Sequence, residues 1–340
     1  MILAADIGGT KSVFGYLTHA HARLALTDAW TAPTRRYPSC VALLEAFLAV
    51  HRRPIRAACL ALAAPIIDGE RSYPANLPWV VERASVRRTL QQDHVWLIND
   101  LEATAYGLET LRDAECVTLQ AGRPQPGSTR AVLAAGTSLG ETIVLRLNDR
   151  TVALASEGGH ADFAPRTARE WALREWLQTR YGHVSIARVV SGPGLVTLYQ
   201  FLHDIAHPNT PAPIDGAQPD AAERICAQAG DGHTPLATET LDWFVSLYGA
   251  AAGDLALRAL PVGGLFLGGG IAPQLLPQLR AGGFLRAFLE KGRLRDLLTE
   301  IPVHVIMNPQ TALHGAGVHA WRLSRQAPTP SAPAPPMPSR

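Results

Sequence analysis

What this chain has little of narrows it first. Its four cysteines, Cys40, Cys59, Cys116 and Cys226, stand singly, with no Cys-x-x-Cys spacing among 340 residues. That spacing excludes a disulfide framework or a cysteine zinc site and reads as reduced core thiols. An excess of charge is missing as well. The 31 Lys and Arg against 29 Asp and Glu leave a net +2, too little to draw the chain to nucleic acid or a membrane surface. No apolar run of about 18 residues escapes interruption by Asp, Gln or Pro, so no membrane-spanning helix is expected. The first residues lack a basic segment followed by a long apolar one, so a signal peptide is not expected either. No tandem repeat stands out. What remains is 47% hydrophobic and 18% charged, a globular composition with length for two domains and a large core.

The most informative stretch is Met1 to Leu17. Ile2–Ala5 reads as a buried strand, Asp6-Ile7-Gly8-Gly9-Thr10-Lys11 as a turn and Ser12–Leu17 as the strand that returns. Glycines let backbone N–H groups approach an anion, and a hydroxyl adds a donor. A carboxylate in such a place repels phosphate unless a divalent cation intervenes, so Asp6 with Gly8-Gly9-Thr10 suggests a magnesium-nucleotide site. An ordinary hairpin turn is the other reading. Lys11 does not make a Walker loop, because the four-residue spacer and following helix are absent.

Strands and helices alternate beyond it. Strands are expected at Leu24–Trp30, Arg56–Ala63 and His94–Ile98. Helices are expected at Cys40–His51, with Val41, Leu44, Phe47 and Leu48 on one face, and at Val80–Gln91 and Leu101–Leu111. A second block opens with strand Arg130–Ala135 and a hairpin of Glu141–Leu147 with Thr151–Ala155. Helices Thr167–Tyr181, Gly194–His203 and Leu236–Leu260 follow, then strands Val262–Leu267 and Ile301–Met307 and helix Thr311–Leu323. Pro208–Asp220 reads as a surface loop. Gln326–Arg340 holds six prolines and is expected to be disordered.

Several motifs carry chemistry. Asn99-Asp100 falls where a buried strand ends, and strand ends are where open α/β sheets bind ligands. Asp100 there suits a general base, although capping of the next helix explains it as well. Gly136-Thr137-Ser138-Leu139-Gly140 matches the hydrolase nucleophile elbow, but the β-branched segment after it continues as strand where the elbow needs a helix. A second phosphate-binding turn fits better. Glu157-Gly158-Gly159-His160 sets a carboxylate and an imidazole three apart, suited to a polyol, with a purely structural histidine as the alternative. Gly268-Gly269-Gly270 ends another apolar strand and lets a flat ring or ribose lie against backbone.

In this order, with the phrases Glu157–Pro165 (EGGHADFAP) and Ser191–Val196 (SGPGLV), the motifs resemble those of bacterial glucokinases from about Ile2 to Leu323. The resemblance implies the two-domain α/β actin–hexokinase–chaperone ATPase fold (ribonuclease H-like). A small domain of residues 1–110, completed by helix 311–323, would face a large domain of residues 111–310 across the active-site cleft. It implies phosphorylation of the 6-hydroxyl of glucose by ATP with Mg²⁺, in the cytoplasm, by a homodimer. By matched position Asp100 is the general base, and Asn99, Asp100, Glu157 and His160 bind the sugar. Ala5, Asp6, Ile7, Gly8, Gly9 and Thr10, with Gly136, Thr137, Gly268 and Gly269, bind the nucleotide. Asp6 serves the metal indirectly.

Two positions depart from the family pattern. Ala187 stands where similar glucokinases carry a sugar-binding glutamate, and Ser138 where Gly is usual. Losing a charged acceptor costs about 1.5–3 kcal/mol, roughly ten- to a few-hundredfold in affinity. The expected result is a weakened sugar site, with a kinase for a related hexose or a turnover-impaired sugar-binding regulator as alternatives.

Overall fold

A computed structural model describes residues 1–20, 23–74, 77–148, 150–208, 210–230 and 234–325. The proline-rich tail expected to be disordered lies outside the described residues. The chain divides into two compact units, Met1–Ala103 joined by the chain from Leu313 on, and Thr104–Ala312.

The first unit has strands β1 (Ile2–Ile7), β2 (Lys11–Ala20), β3 (Arg23–Pro33), β4 (Ala57–Leu62), β5 (Ile66–Ile67), β6 (Arg71–Ser72), β7 (Val81–Glu82) and β8 (Val95–Asn99). Its main sheet runs β3-β2-β1-β4-β8. The β3-β2-β1 part is antiparallel, as short turns require, whereas β1, β4 and β8 are parallel. β1 and β4 read as continuous apolar runs because both are sheet-central and buried. Helix α1 (Cys40–Val50) is capped by Ser39, whose Oγ accepts the Ala42 N–H at 3.0 Å. It buries Cys40, Leu43, Leu44 and Phe47. The stripe is therefore rotated from the expected one, and Val41 and Leu48 only flank it. Phe47 sits 5.4 Å from the Phe14 ring and 5.3 Å from Tyr16. Burying a side chain of that size contributes about 1.5–3 kcal/mol.

Helix α2 (Arg83–Leu90) begins later than expected, because Val81 and Glu82 pair with Ser72 and Arg71 in a small sheet. Helix α3 (Asp100–Gly107) begins one residue earlier and ends four earlier than expected.

The second unit has β9 (Cys116–Gln120), β10 (Arg130–Ala135), β11 (Leu139–Leu147), β12 (Arg150–Leu154), β13 (Leu265–Gly268) and β14 (Val303–Ile306). The sheet order is β12-β11-β10-β13-β14-β9. Its first five strands repeat the first unit's pattern, three antiparallel and then two more parallel to the third. The absence of a sequence repeat therefore conceals a repeated topology. Helices α4 (Ala168–Tyr181), α5 (Gly192–Ala206), α6 (Ala221–Gly230) and α7 (Pro235–Ala259) follow the sheet's first half. α7 is buried along most of its length, with Phe244, Tyr248 and Leu255 in one apolar cluster with Leu133 and Leu267. β9, β5–β7 and α6 were not expected. β9 is an edge strand with no alternation of buried and exposed residues, so it has no periodic signal.

Candidate active site

In the first unit, register decides what meets. Ile7 pairs with Leu62, and Leu62 with Asn99. The parallel strands β1, β4 and β8 therefore finish level. The Asp6–Thr10 turn and Asn99-Asp100 leave the same end of the sheet, two strand spacings or about 10 Å apart.

The turn is tightly made. β1 runs through Asp6 to Ile7, past the expected end at Ala5, so Asp6 is the last-but-one strand residue. The Gly8 N–H donates to the Lys11 carbonyl at 3.1 Å and closes the hairpin. Among the described residues no hydrogen bond engages the N–H of Gly9 or Thr10. Those two, rather than Gly8, are the backbone donors this turn has to offer. Asp6 is partly buried, and burial pushes its carboxyl up to about 6, against the lowering pull of Lys11. Ser12 and Thr34, neither singled out in the sequence, brace the turn from beneath. Thr34 Oγ1 donates to the Gly8 carbonyl at 2.8 Å, and Ser12 Oγ lies 2.7 Å from Thr34 Oγ1.

At the end of β8 the helix cap is Asn99. Its Oδ1 accepts the Leu101 N–H at 2.8 Å, and Glu102 Oε2 accepts the Asn99 N–H at 3.0 Å. The Glu102 bond is the returning half of a capping box, while the Asn99 side chain caps N2 in place of N3. The Asn-x-x-Glu spacing of residues 99–102 is the sequence signal for it, and the motif reading missed Glu102. Burial raises the Glu102 carboxyl above its ordinary range, against the bond from Asn99. Asp100 is the first helical residue, half-buried, with Oδ1 accepting the Leu101 N–H at 2.9 Å. Capping thus falls mainly to Asn99. Its Nδ2 donates to the Ala64 carbonyl at 3.4 Å, leaving a second amide N–H without a partner among the described residues.

The second unit gathers the other motifs. β10 ends at Ala135, and the Gly136 N–H donates to the Ser138 carbonyl at 2.8 Å, turning the chain into β11. β11 continues as strand, so the elbow reading of Gly136–Gly140 fails on structure as well. The Gly136 carbonyl accepts the N–H of Gly192 at 2.8 Å, at the start of α5. Ser191 caps that helix, accepting from Gly194 at 3.0 Å and donating to the Ala187 carbonyl at 2.7 Å. On the neighbouring strand Gly268 pairs with Ala134, and Gly269 follows at φ +78. A Cβ on Gly269 would stand 2.3 Å from the Ala135 carbonyl oxygen, so the two strand ends lie flush only because it is glycine. Gly136 and Gly270 face open space.

Glu157 precedes the short 3-10 turn Gly158–His160, and both Glu157 and His160 are exposed. The turn rests on β11. A Cβ on Gly159 would meet the Leu139 carbonyl oxygen at 1.8 Å, and one on Gly158 would meet the Glu141 carboxylate. Glu141 is itself buried and held by Arg258 at 2.8 Å. Ile186 donates to the Ala161 carbonyl at 2.9 Å, which ties the turn to the Ile186–Arg188 segment. Ala187 in that segment is buried in the unit's apolar cluster. Among the described residues no group of three or more His, Cys, Asp or Glu is arranged to hold a metal ion by itself.

Comparison with known proteins points to one family. A family model described as Glucokinase matches residues 3–323. The glucokinase of Nostoc punctiforme is 36% identical over 340 residues, covering 95% of this chain and 99% of its own. That of Yersinia pestis is 34% identical over 319 residues, covering 93% and 95%. Among solved structures, the glucokinase from an Antarctic psychrotroph has a TM-score of 0.82 at 31% identity, over 94% of this chain and 98% of its own. Glucokinase from Balamuthia mandrillaris, solved in complex with glucose, has a TM-score of 0.72 at 22% identity, covering 94% and 93%, and speaks to the fold alone. The fold is the α/β actin-like ATPase fold.

Proposed function

The chain belongs to the glucokinase family, and from that premise we propose how its residues divide the work. The family's reaction is the ATP-dependent phosphorylation of glucose. One observation supports the assignment above the rest. The carboxylate-bearing glycine turn and Asn99-Asp100 leave the same end of one sheet, on strands separated by β4 alone.

Asp100 is the general base. Its carboxylate takes the proton of the sugar 6-hydroxyl as that oxygen attacks phosphorus, a role worth about 10²–10⁴ in rate. In the first unit, Asn99 presents its remaining amide N–H to the sugar. In the second, the exposed Glu157 and His160 accept and donate to sugar hydroxyls. The nucleotide falls to Ala5–Thr10, Gly136, Thr137, Gly268 and Gly269. These groups suit a polyphosphate, since the Gly9 and Thr10 N–H groups are unspent and the Gly136 surface is open. Mg²⁺ fits as well, because Asp6 is the carboxylate of the Asp6–Lys11 turn and a cation arriving with the nucleotide would offset its repulsion of phosphate. Asp6 would hold the ion indirectly, through its water shell. Bound with ATP, Mg²⁺ neutralises phosphate charge during transfer. A homodimer in the cytoplasm belongs to the same proposal and rests on the family resemblance alone. No helix among the described residues is long and apolar enough to cross a membrane.

A second reading is kept alive by Ala187, a buried methyl where a sugar-binding carboxylate is usual in the family. The protein then phosphorylates a related hexose, or binds sugar as a regulator with impaired turnover. A coupled ADP-release assay over a hexose panel tests all three. The highest kcat/KM for glucose supports the first reading, and a clear preference for another hexose replaces it. Sugar binding without ADP release from any hexose would leave the regulator.

A further inference from the structure

The turn between β1 and β2 is gripped from one residue 24 positions beyond its own end, Thr34 counted from Thr10. Thr34 is fully buried at the close of β3, where the register pairs Lys11 with Pro33. Its backbone N–H donates to the Thr10 carbonyl at 3.0 Å. Its hydroxyl donates to the Gly8 carbonyl at 2.8 Å. A threonine hydroxyl has one proton, and that proton is spent on Gly8. The 2.7 Å contact with Ser12 therefore has Ser12 as donor and Thr34 Oγ1 as acceptor. Ser12 is fully buried too. The result is a directed chain, Ser12 to Thr34 to Gly8.

The direction matters at the next peptide bond. Among the described residues no peptide bond is cis, so the carbonyl of Gly8 and the N–H of Gly9 point opposite ways in one plane. With the Gly8 carbonyl drawn down onto Thr34, the Gly9 N–H faces outward. Each bond in such a chain polarises the next, so the Gly9 N–H becomes a better donor as well as a fixed one. We propose that Thr34, backed by Ser12, is the positioning residue that aims the Gly9 N–H at the nucleotide's phosphate groups. This deepens the nucleotide reading of the Asp6–Thr10 turn and rests on it.

Thr34→Val keeps the shape and deletes both hydroxyl bonds. Calorimetric titration with ADP and Mg²⁺, in the absence of sugar, is expected to show about tenfold weaker binding, the size of one hydrogen bond to a charged phosphate lost when the Gly9 N–H is no longer aimed. Glucose affinity should stay within about twofold and Thr34→Ser within about threefold of the parent, since serine restores the hydroxyl. Unchanged ADP affinity in Thr34→Val overturns the proposal. So does an equal loss for ADP and glucose, which would mark a general folding role. Should Thr34→Val not fold, Ser12→Ala removes only the rear donor and is expected to weaken ADP about two- to threefold; no change there overturns the proposal equally. If the unaltered protein binds no ADP, the nucleotide reading of the turn falls and this proposal with it. ADP binding and hexose turnover with an indifferent Thr34→Val sink the positioning role alone.

Discussion

The turn joining β1 to β2 and the turn joining β10 to β11 occupy equivalent places in two sheets of one topology, yet they are held by different means. In both, the first glycine's N–H closes the hairpin, through Gly8 to Lys11 and Gly136 to Ser138. In both, that glycine's carbonyl is then captured, which turns the following N–H the other way. The captor of Gly8 is a hydroxyl, that of Thr34; the captor of Gly136 is the backbone N–H of Gly192. A turn held by a side chain can be released by one substitution. A turn held by backbone is indifferent to side chains, except where a Cβ would not fit. The acid is also unevenly placed: Asp6 enters the first turn, whereas Gly136-Thr137-Ser138 has no ionisable group. On the assignment proposed above, the acid of the nucleotide site belongs to the first turn, and the second turn contributes backbone and shape.

The sharpest way to break that division is Asp100→Asn. The amide keeps the shape and loses the proton acceptor, so kcat should fall at least about a hundredfold with glucose binding nearly intact. Steady-state kinetics beside a glucose titration decide it, and near-normal turnover would reduce Asp100 to a residue of the helix start.

Next in size is Gly159→Ala, which attacks the second unit through shape alone. The new methyl would need the space of the Leu139 carbonyl oxygen 1.8 Å away. The backbone has to shift, at about 1–3 kcal/mol, and Glu157 and His160 shift with it. That cost falls on stability; glucose KM should rise about tenfold or more because the displaced Glu157 loses a charged hydrogen bond to the sugar, with ADP binding little changed. A variant whose glucose KM matches the parent's would show that this segment does not set the sugar site.

Much of this was legible in the sequence. Sheet-central strands such as Ile2–Ala5 and Arg130–Ala135 declare themselves as apolar runs, and glycine clusters mark where those strands stop. Long-range pairing leaves no such mark. Nothing around Pro33-Thr34 signals that β3 will end beneath Gly8, because the register is set by the whole β2–β3 ladder with its irregularity between Phe14 and Tyr16. The Gly192 grip on Gly136 likewise joins residues far apart in the chain. The repeated topology was hidden because equivalent strands share only burial and hydrogen bonding, which many sequences satisfy. The roles given to Asp100, Glu157 and His160 came from resemblance, since local sequence left each with a bland alternative.

Ala187→Glu asks whether the second unit has merely lost a contact. A carboxylate restored there should lower glucose KM about tenfold, the value of one charged hydrogen bond. The change in kcat should be smaller, because the site is remote from the transferred group and acts as uniform binding. Ala187 is buried beside Val189 and Val190, so the longer side chain has to reach out of the apolar cluster to be solvated. Glucose and a 2-substituted hexose, measured side by side, separate the outcomes. Poorer glucose kinetics with the variant would favour a pocket remodelled for another sugar.

The smallest effect concerns the acid that only the first turn has. Burial holds the Asp6 carboxyl at about 6, above its ordinary 3.8. The folded protein therefore binds this proton more tightly than the unfolded chain does. By linkage, stability from this group is fully present below about pH 4, falls as pH rises from about 4 to 6 and stays reduced above that. Asp6→Asn removes the penalty, so it should raise Tm by a few degrees at about pH 8 and leave Tm unchanged near pH 4. The same variant should bind ADP with Mg²⁺ more weakly at the higher pH, since the ionised carboxylate is what the cation complex needs. Thermal melts at the two pH values, each with and without Mg-ADP, separate the terms. Equal Tm shifts at both would show that the charge is not the cause. A gain in stability without loss of Mg-ADP affinity would leave the first turn as acid-free in function as the second, and the contrast between them would reduce to the Thr34 hydroxyl.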